Sequence, residues 1–195
     1  MPRAELSLND VTMMEAVHAL RERRVYLQFE REPLAEANTD RSRPIVDSKR
    51  RFSVTVDVGG SPEQVVAALV HADGAYDWIR LTTGPDSFFI FPRADAGNDK
   101  LARSALSRSA PPISTAEKSL DEVVRELLSG AQNIALFDRA GFLRAVTSVH
   151  RMDTAGKPLY VVLGELFARS DKSLVWDASA MDGSTVLAIS SLPPS

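Results

Sequence analysis

The chain has 195 residues, of which 44% are hydrophobic and 25% charged. That is the balance of a folded globular protein, not of a disordered one. Its formal net charge of −3 leaves no general basic field to hold nucleic acid. The absence of cysteine excludes disulfides, thiolate metal sites and a cysteine nucleophile together.

The length suits one ordinary domain or two small ones. The opening MPRAELSLND has no apolar core and does not read as a signal peptide. No stretch approaches the roughly eighteen apolar residues of a membrane-spanning helix.

Thr12 and Glu15 have the Ser/Thr-x-x-Glu spacing of a capping box. Met13, Ala16, Val17 and Leu20 then form one helical face. After RERR the period changes to two in Val25, Leu27 and Phe29, which predicts a half-buried strand. Glu30 to Lys49 is polar and reads as a long surface crossing. Phe52, Val54, Val56 and Val58 alternate as a second strand, ended by Gly59-Gly60. Ser61, Pro62 and Gln64 predict another capped helix, with Val65, Val66, Leu69 and Val70 buried. Tyr76 to Leu81, the turn TTGPDS and the run FFIFP predict a hairpin.

Residues 95–112 are polar, rich in small residues and closed by two prolines, as in a linker. KLARSALSR within them suits a short helix. The earlier order then recurs. Ser119 and Glu122 repeat the capping box, and Leu120, Val123, Val124 and Leu127 repeat the face. NIALF and Thr147 to Met152 are the next predicted strands, and Pro158 stands near a helix start. Val162, Leu163, Leu166 and Phe167 match Val65, Val66, Leu69 and Val70, while Trp176 matches Trp78. Asp182-Gly183 then predicts a hairpin turn into TVLAIS.

The expected architecture is therefore α+β. Two tandem small units, 1–94 and 113–195, flank the linker, and in each the helices cover a small mixed or antiparallel sheet.

Candidate chemistry is thin. His18, His71 and His150 lack a second ligand at helical spacing and read as surface or boundary histidines. Gly59-Gly60 before a helix could hold an anion, but reads more simply as a strand end. Asp57 and Asp153 occupy matching places and invite a paired-acid idea. A short acceptor at a strand-to-helix turn explains both more simply. Lys49 to Arg51, with Arg41 and Arg43, forms a basic cluster that could meet an acidic partner or lipid headgroups, and also suits a solvated loop. Trp78 and Trp176 fit core packing better than ligand stacking. No catalytic, cofactor-binding or metal-ligating residue is assigned, and no cofactor is expected.

LSLNDVTMMEAVHALRERRVYLQFE and RRFSVTVDVGGSPEQVVAALVHADGAYDWIRLTTGPDSFFIFPR together resemble the short N-terminal domain of secretins and TonB-dependent receptors. Met13 to Leu20, Val25 to Phe29, Phe52 to Val58, Ser61 to Val70, Tyr76 to Trp78 and Phe88 to Phe91 carry the likeness. GKPLYVVLGELFARSDKSLVWDASAMDGSTVLAIS is similar to its C-terminal portion. The resemblance implies a small sandwich on the periplasmic side of a bacterial envelope machine, acting by surface contact and without catalytic residues. Expected partners are envelope proteins or further copies of the chain, without nucleic acid or membrane insertion. Periplasmic placement is implied, with the cytoplasm left open. The alternative expectation is a periplasmic small-molecule or peptidoglycan binder using a cleft between the halves.

Overall fold

A computed structural model describes residues 5–32, 50–81, 87–93, 104–131, 133–138, 140–146, 151–168, 170, 174–181 and 184–192. The chain is an α+β protein. In order, its strands and helices are β1 (Glu5–Val11), α1 (Met13–Arg21), β2 (Tyr26–Glu30), β3 (Phe52–Asp57), α2 (Pro62–Asp73), β4 (Tyr76–Leu81), β5 (Ser87–Pro92), α3 (Leu120–Ser129), β6 (Ile134–Phe137), α4 (Leu159–Ala168), β7 (Leu174–Met181) and β8 (Ser184–Ser191).

Local chemistry places most of these ends. Thr12 accepts from the Glu15 amide while Glu15 accepts from the Thr12 amide, and Ser119 and Glu122 repeat the exchange. Both expected boxes form. The third does not: Ser61 makes no side-chain cap bond. The Gln64 amide, which a cap side chain would serve, donates instead to the Ser61 backbone carbonyl at 3.0 Å. Gly74 closes α2 at φ 78° and donates to the Val70 carbonyl, a left-handed stop that glycine adopts without steric cost.

The strands repeat an order. β4 and β5 are antiparallel, with Trp78 beside Ile90, and β5 runs parallel to β2, with Phe88 beside Leu27. In the second half β7 and β8 are antiparallel, with Trp176 beside Ile189, and β8 runs parallel to β6, with Leu187 beside Leu136. Each half thus gives a hairpin plus the strand that follows its first helix. The matching tryptophans occupy matching registers.

Separate small sheets for the two halves were expected. Instead, three strands from each half join into one six-stranded sheet, β4-β5-β2-β7-β8-β6, while β1 and β3 form a two-stranded antiparallel sheet. The join is a short parallel pairing of β2 with β7, Phe29 beside Asp177 and Glu30 beside Ala178. β2 is consequently not half-buried. Leu27, Gln28, Phe29 and Glu30 are all buried, because the strand lies between β5 and β7 with cover on both faces.

Alternation along the strands divides two cores. Leu27, Phe29, Phe88 and Ile90 face α1 and α2, which are closed on their other side by Leu8 of β1 and Val56 of β3. Phe89 and Phe91, one residue out of phase, face the other way and join Trp176, Ala178, Leu187 and Ile189 under α3 and α4. So β5 serves both cores. Gly164 marks the close approach of α4 to the first half: a Cβ there would lie 2.9 Å from Leu81 Cδ1.

Three further differences from expectation concern connections. Glu5–Val11 is a strand although no strand was expected there. The strand expected over Thr147 to Met152 does not appear at Arg151 and Met152, and 147–150 lie outside the described residues. The described end of the expected linker is built into the second core. It carries a 3-10 turn at Ala105–Ser107, Leu106 and Ala110 are buried, and Ala110 donates to the Lys157 carbonyl.

Candidate functional site

Two places carry the arrangement: the junction where the halves meet, and the two margins where the six-stranded sheet ends.

At the junction Arg21 leaves the last turn of α1 and crosses over β2. Nη1 and Nη2 form a two-pronged pair with the Asp177 carboxylate at 3.0 and 2.9 Å. Nε and Nη2 also donate to the Leu27 carbonyl, and Nη2 to the Trp176 carbonyl. The Arg21 side chain is 5% exposed and that of Asp177 16%. Removing such charges from water costs several kcal/mol per ion, which only good geometry and full hydrogen bonding offset. Both conditions hold here. On the opposite face the Gln28 side-chain carbonyl accepts from the Trp176 amide at 2.8 Å. Arg21, the first residue of RERR, thus ties the halves together.

The margins are β4 and β6, which among the described residues each pair on one side only. On β4 the Trp78 amide, equivalent to that of Trp176, is met by the neighbouring Asp77 carboxylate at 2.8 Å. On β6, Phe137 stands where Gln28 stands in the first half. It is 53% exposed, a large apolar residue that the core leaves in solvent. Nothing in the sequence marked Phe137, because NIALF is apolar enough to read as an ordinary buried strand.

The residues weighed for chemistry are spread over the surface. His18 and His71 are exposed on α1 and α2, and His150 lies outside the described residues. Asp57 accepts from the Gly59 amide at 3.0 Å and Asp153 from the Ala155 amide at 3.1 Å. Both are exposed, and each holds the turn before its helix. Gly59 and Gly60 have their amides engaged by Asp57. Of the basic cluster, Arg50 pairs with Asp73 and Arg51 with Asp10 and Glu15, while Arg41, Arg43 and Lys49 lie outside the described residues. Trp176 is fully enclosed, and Trp78 is half-buried with its ring edge-on to Phe88. Among the described residues no group of three or more His, Asp or Glu side chains gathers as a metal site would require.

The two capping carboxylates are electrostatically special. Hydrogen bonds from the Thr12 backbone and side chain hold the Glu15 carboxyl below its ordinary 4.5, with a smaller contribution from Arg51. Ser119 does the same for Glu122. A hollow of about 530 Å³ is lined by Pro112, Ile113, Ser114, Thr115, Arg151, Met152 and Asp153. It lies within the second half and not between the halves.

No family model matches the chain, and no curated protein or solved structure is significantly similar to it. Among the described residues no helix is long and apolar enough to cross a membrane.

Proposed function

We propose that the chain is a non-enzymatic protein–protein interaction module of the bacterial cell envelope, akin to the periplasmic N-terminal domains of secretins or TonB-dependent receptors. The observation that carries this reading is the pair of open sheet margins, β4 and β6, with Phe137 bared at the second. A strand margin offers a row of amides and carbonyls to another chain, and that is a recurrent docking mode. In the first half α1 and α2 lie between the β1–β3 pair and the strands β4-β5-β2, a packing that supports the reading. The paired acids Asp57 and Asp153 serve turns, which suits a working surface without reacting groups.

The alternative, a periplasmic small-molecule or peptidoglycan binder with a cleft between the halves, has less behind it. The place for that cleft is taken by the β2–β7 junction.

Photo-crosslinkers placed at Arg80 on β4 and at Phe137 on β6 in the native cells test the proposal. Adducts with envelope proteins from the periplasmic fraction are expected at these positions, and not at Glu126 on the exposed side of α3. Adducts solely with cytosolic proteins, or equal labelling at Glu126, would overturn it.

A further inference from the structure

The repeated strand order has a geometric consequence at the margins. In the first half β2 and β5 point one way and β4 the other; in the second, β7 continues the direction of β2, while β8 and β6 oppose it. The helices also change sides, with α1 and α2 on one face and α3 and α4 on the other. The second half is therefore the first turned by half a revolution about an axis running across the strands, and moved along that axis. Such an operation does not close on itself. Applied once more, it sets a new first half against β6.

The junction inside the chain shows what that contact would look like. There the outer strand of one half, β2, lies parallel to the hairpin strand of the next, β7. The margins of the whole sheet are the same two kinds of strand, β6 and β4. Equivalent registers put Phe137 beside Trp78, as Gln28 is beside Trp176. The inner junction is only a few residues long, so the four residues of β6 suffice.

A second observation points to the same occupant. On the face of the second half that α3 and α4 leave uncovered, Phe137 pairs with Ala188 and Ala135 with Val186. Phe137 and Ala135 are exposed, Val186 and Ala188 half-buried, and none belongs to either core. The corresponding first-half surface, at Phe89 and Phe91 of β5, is the one α4 covers. By the same operation, α2 of a following chain would cover this patch. The Trp78 amide, already met by Asp77, needs no acceptor from Phe137.

We propose that copies of this chain associate head to tail, β6 of one running parallel beside β4 of the next, with Phe137 seated at Trp78. This rests on the reading of the margins as docking surfaces and names a second copy as their occupant. The contact is heterologous and leaves a free margin at each end, so it extends instead of stopping at a dimer. It lacks an equivalent of the Arg21–Asp177 pair, since Leu128 and Ile79 occupy those places, and is therefore concentration-dependent.

The chain has no native cysteine, which makes disulfide trapping clean. Two single-cysteine chains, Phe137→Cys and Trp78→Cys, are mixed and oxidised; the proposed register sets these two positions side by side, within reach of a disulfide, with Phe137 exposed and Trp78 half-buried. The mixed disulfide dimer is expected to exceed either like-with-like dimer several-fold, and a chain carrying both cysteines to give a ladder. In sedimentation velocity the unmodified chain should gain mass with concentration, and Phe137→Glu should remain a monomer with an unchanged circular dichroism spectrum. A chain that stays monomeric at every concentration, or like-with-like dimers through Phe137→Cys dominating the mixture, would overturn the proposal. A monomeric chain whose margins still crosslink to envelope proteins would defeat self-association alone and leave the broader reading standing.

Discussion

Arg21 and Asp177, 156 positions apart in the sequence, form a two-pronged ion pair over the seam between β2 and β7. Breaking one side leaves a buried charge unmatched, which characteristically costs about 3–5 kcal/mol. Arg21→Met is therefore expected to lower urea-unfolding stability by roughly that amount. Replacing both partners, as Arg21→Met with Asp177→Leu, should recover most of the loss, because neither charge is then stranded. Equal losses in the single and double variants would remove the pair from the account.

The helix caps make a graded prediction. Thr12→Ala and Ser119→Ala each remove a working side-chain acceptor and should cost about 1 kcal/mol. Ser61→Ala should cost almost nothing, since Ser61 makes no cap bond. Thermal or urea denaturation of the three variants checks the order.

Glu15 and Glu122 both titrate below their ordinary 4.5, chiefly through hydrogen bonds from their cap residues. A carboxyl whose folded pKa is depressed adds stability that is complete above its unfolded pKa and is lost as pH falls through its folded value. The stability gap between the wild type and Glu15→Gln/Glu122→Gln should thus be present at neutral pH. It should shrink as pH drops below 4.5. A gap that widens in acid would contradict the capping roles.

Gly164 and Leu81 test whether α4 packs on the first half. Gly164→Val forces a side chain onto Leu81 and should destabilise by about 1–3 kcal/mol. Introduced into Leu81→Ala, the same substitution should cost distinctly less, because the space has been opened. Additive losses would mean that the two residues do not touch.

Much of the fold was legible because it rests on local patterns. The capping boxes at Thr12 and Ser119, the apolar faces of α1 to α4 and the two tryptophan-bearing hairpins all follow from spacing alone. Strand β1 was missed because only Leu6, Leu8 and Val11 interrupt a polar run, and its strand is an exposed half of a two-stranded sheet. The junction was hidden for another reason. Its polar members, Arg21, Gln28 and Asp177, look like surface residues until β2 and β7 meet. Phe137 was illegible as a margin residue because an apolar run does not state which of its faces will be covered.

Hydrogen exchange of individual amides, followed in low urea, tests most directly the claim that two matched halves form a single folded body through β2 and β7. Amides in the centres of β2 and β5 and those in β7 and β8 are expected to exchange through the same global opening, with equal free energies and equal urea dependence. Two distinct openings, one releasing β4, β5 and β2 while β7 and β8 stay protected, would contradict it.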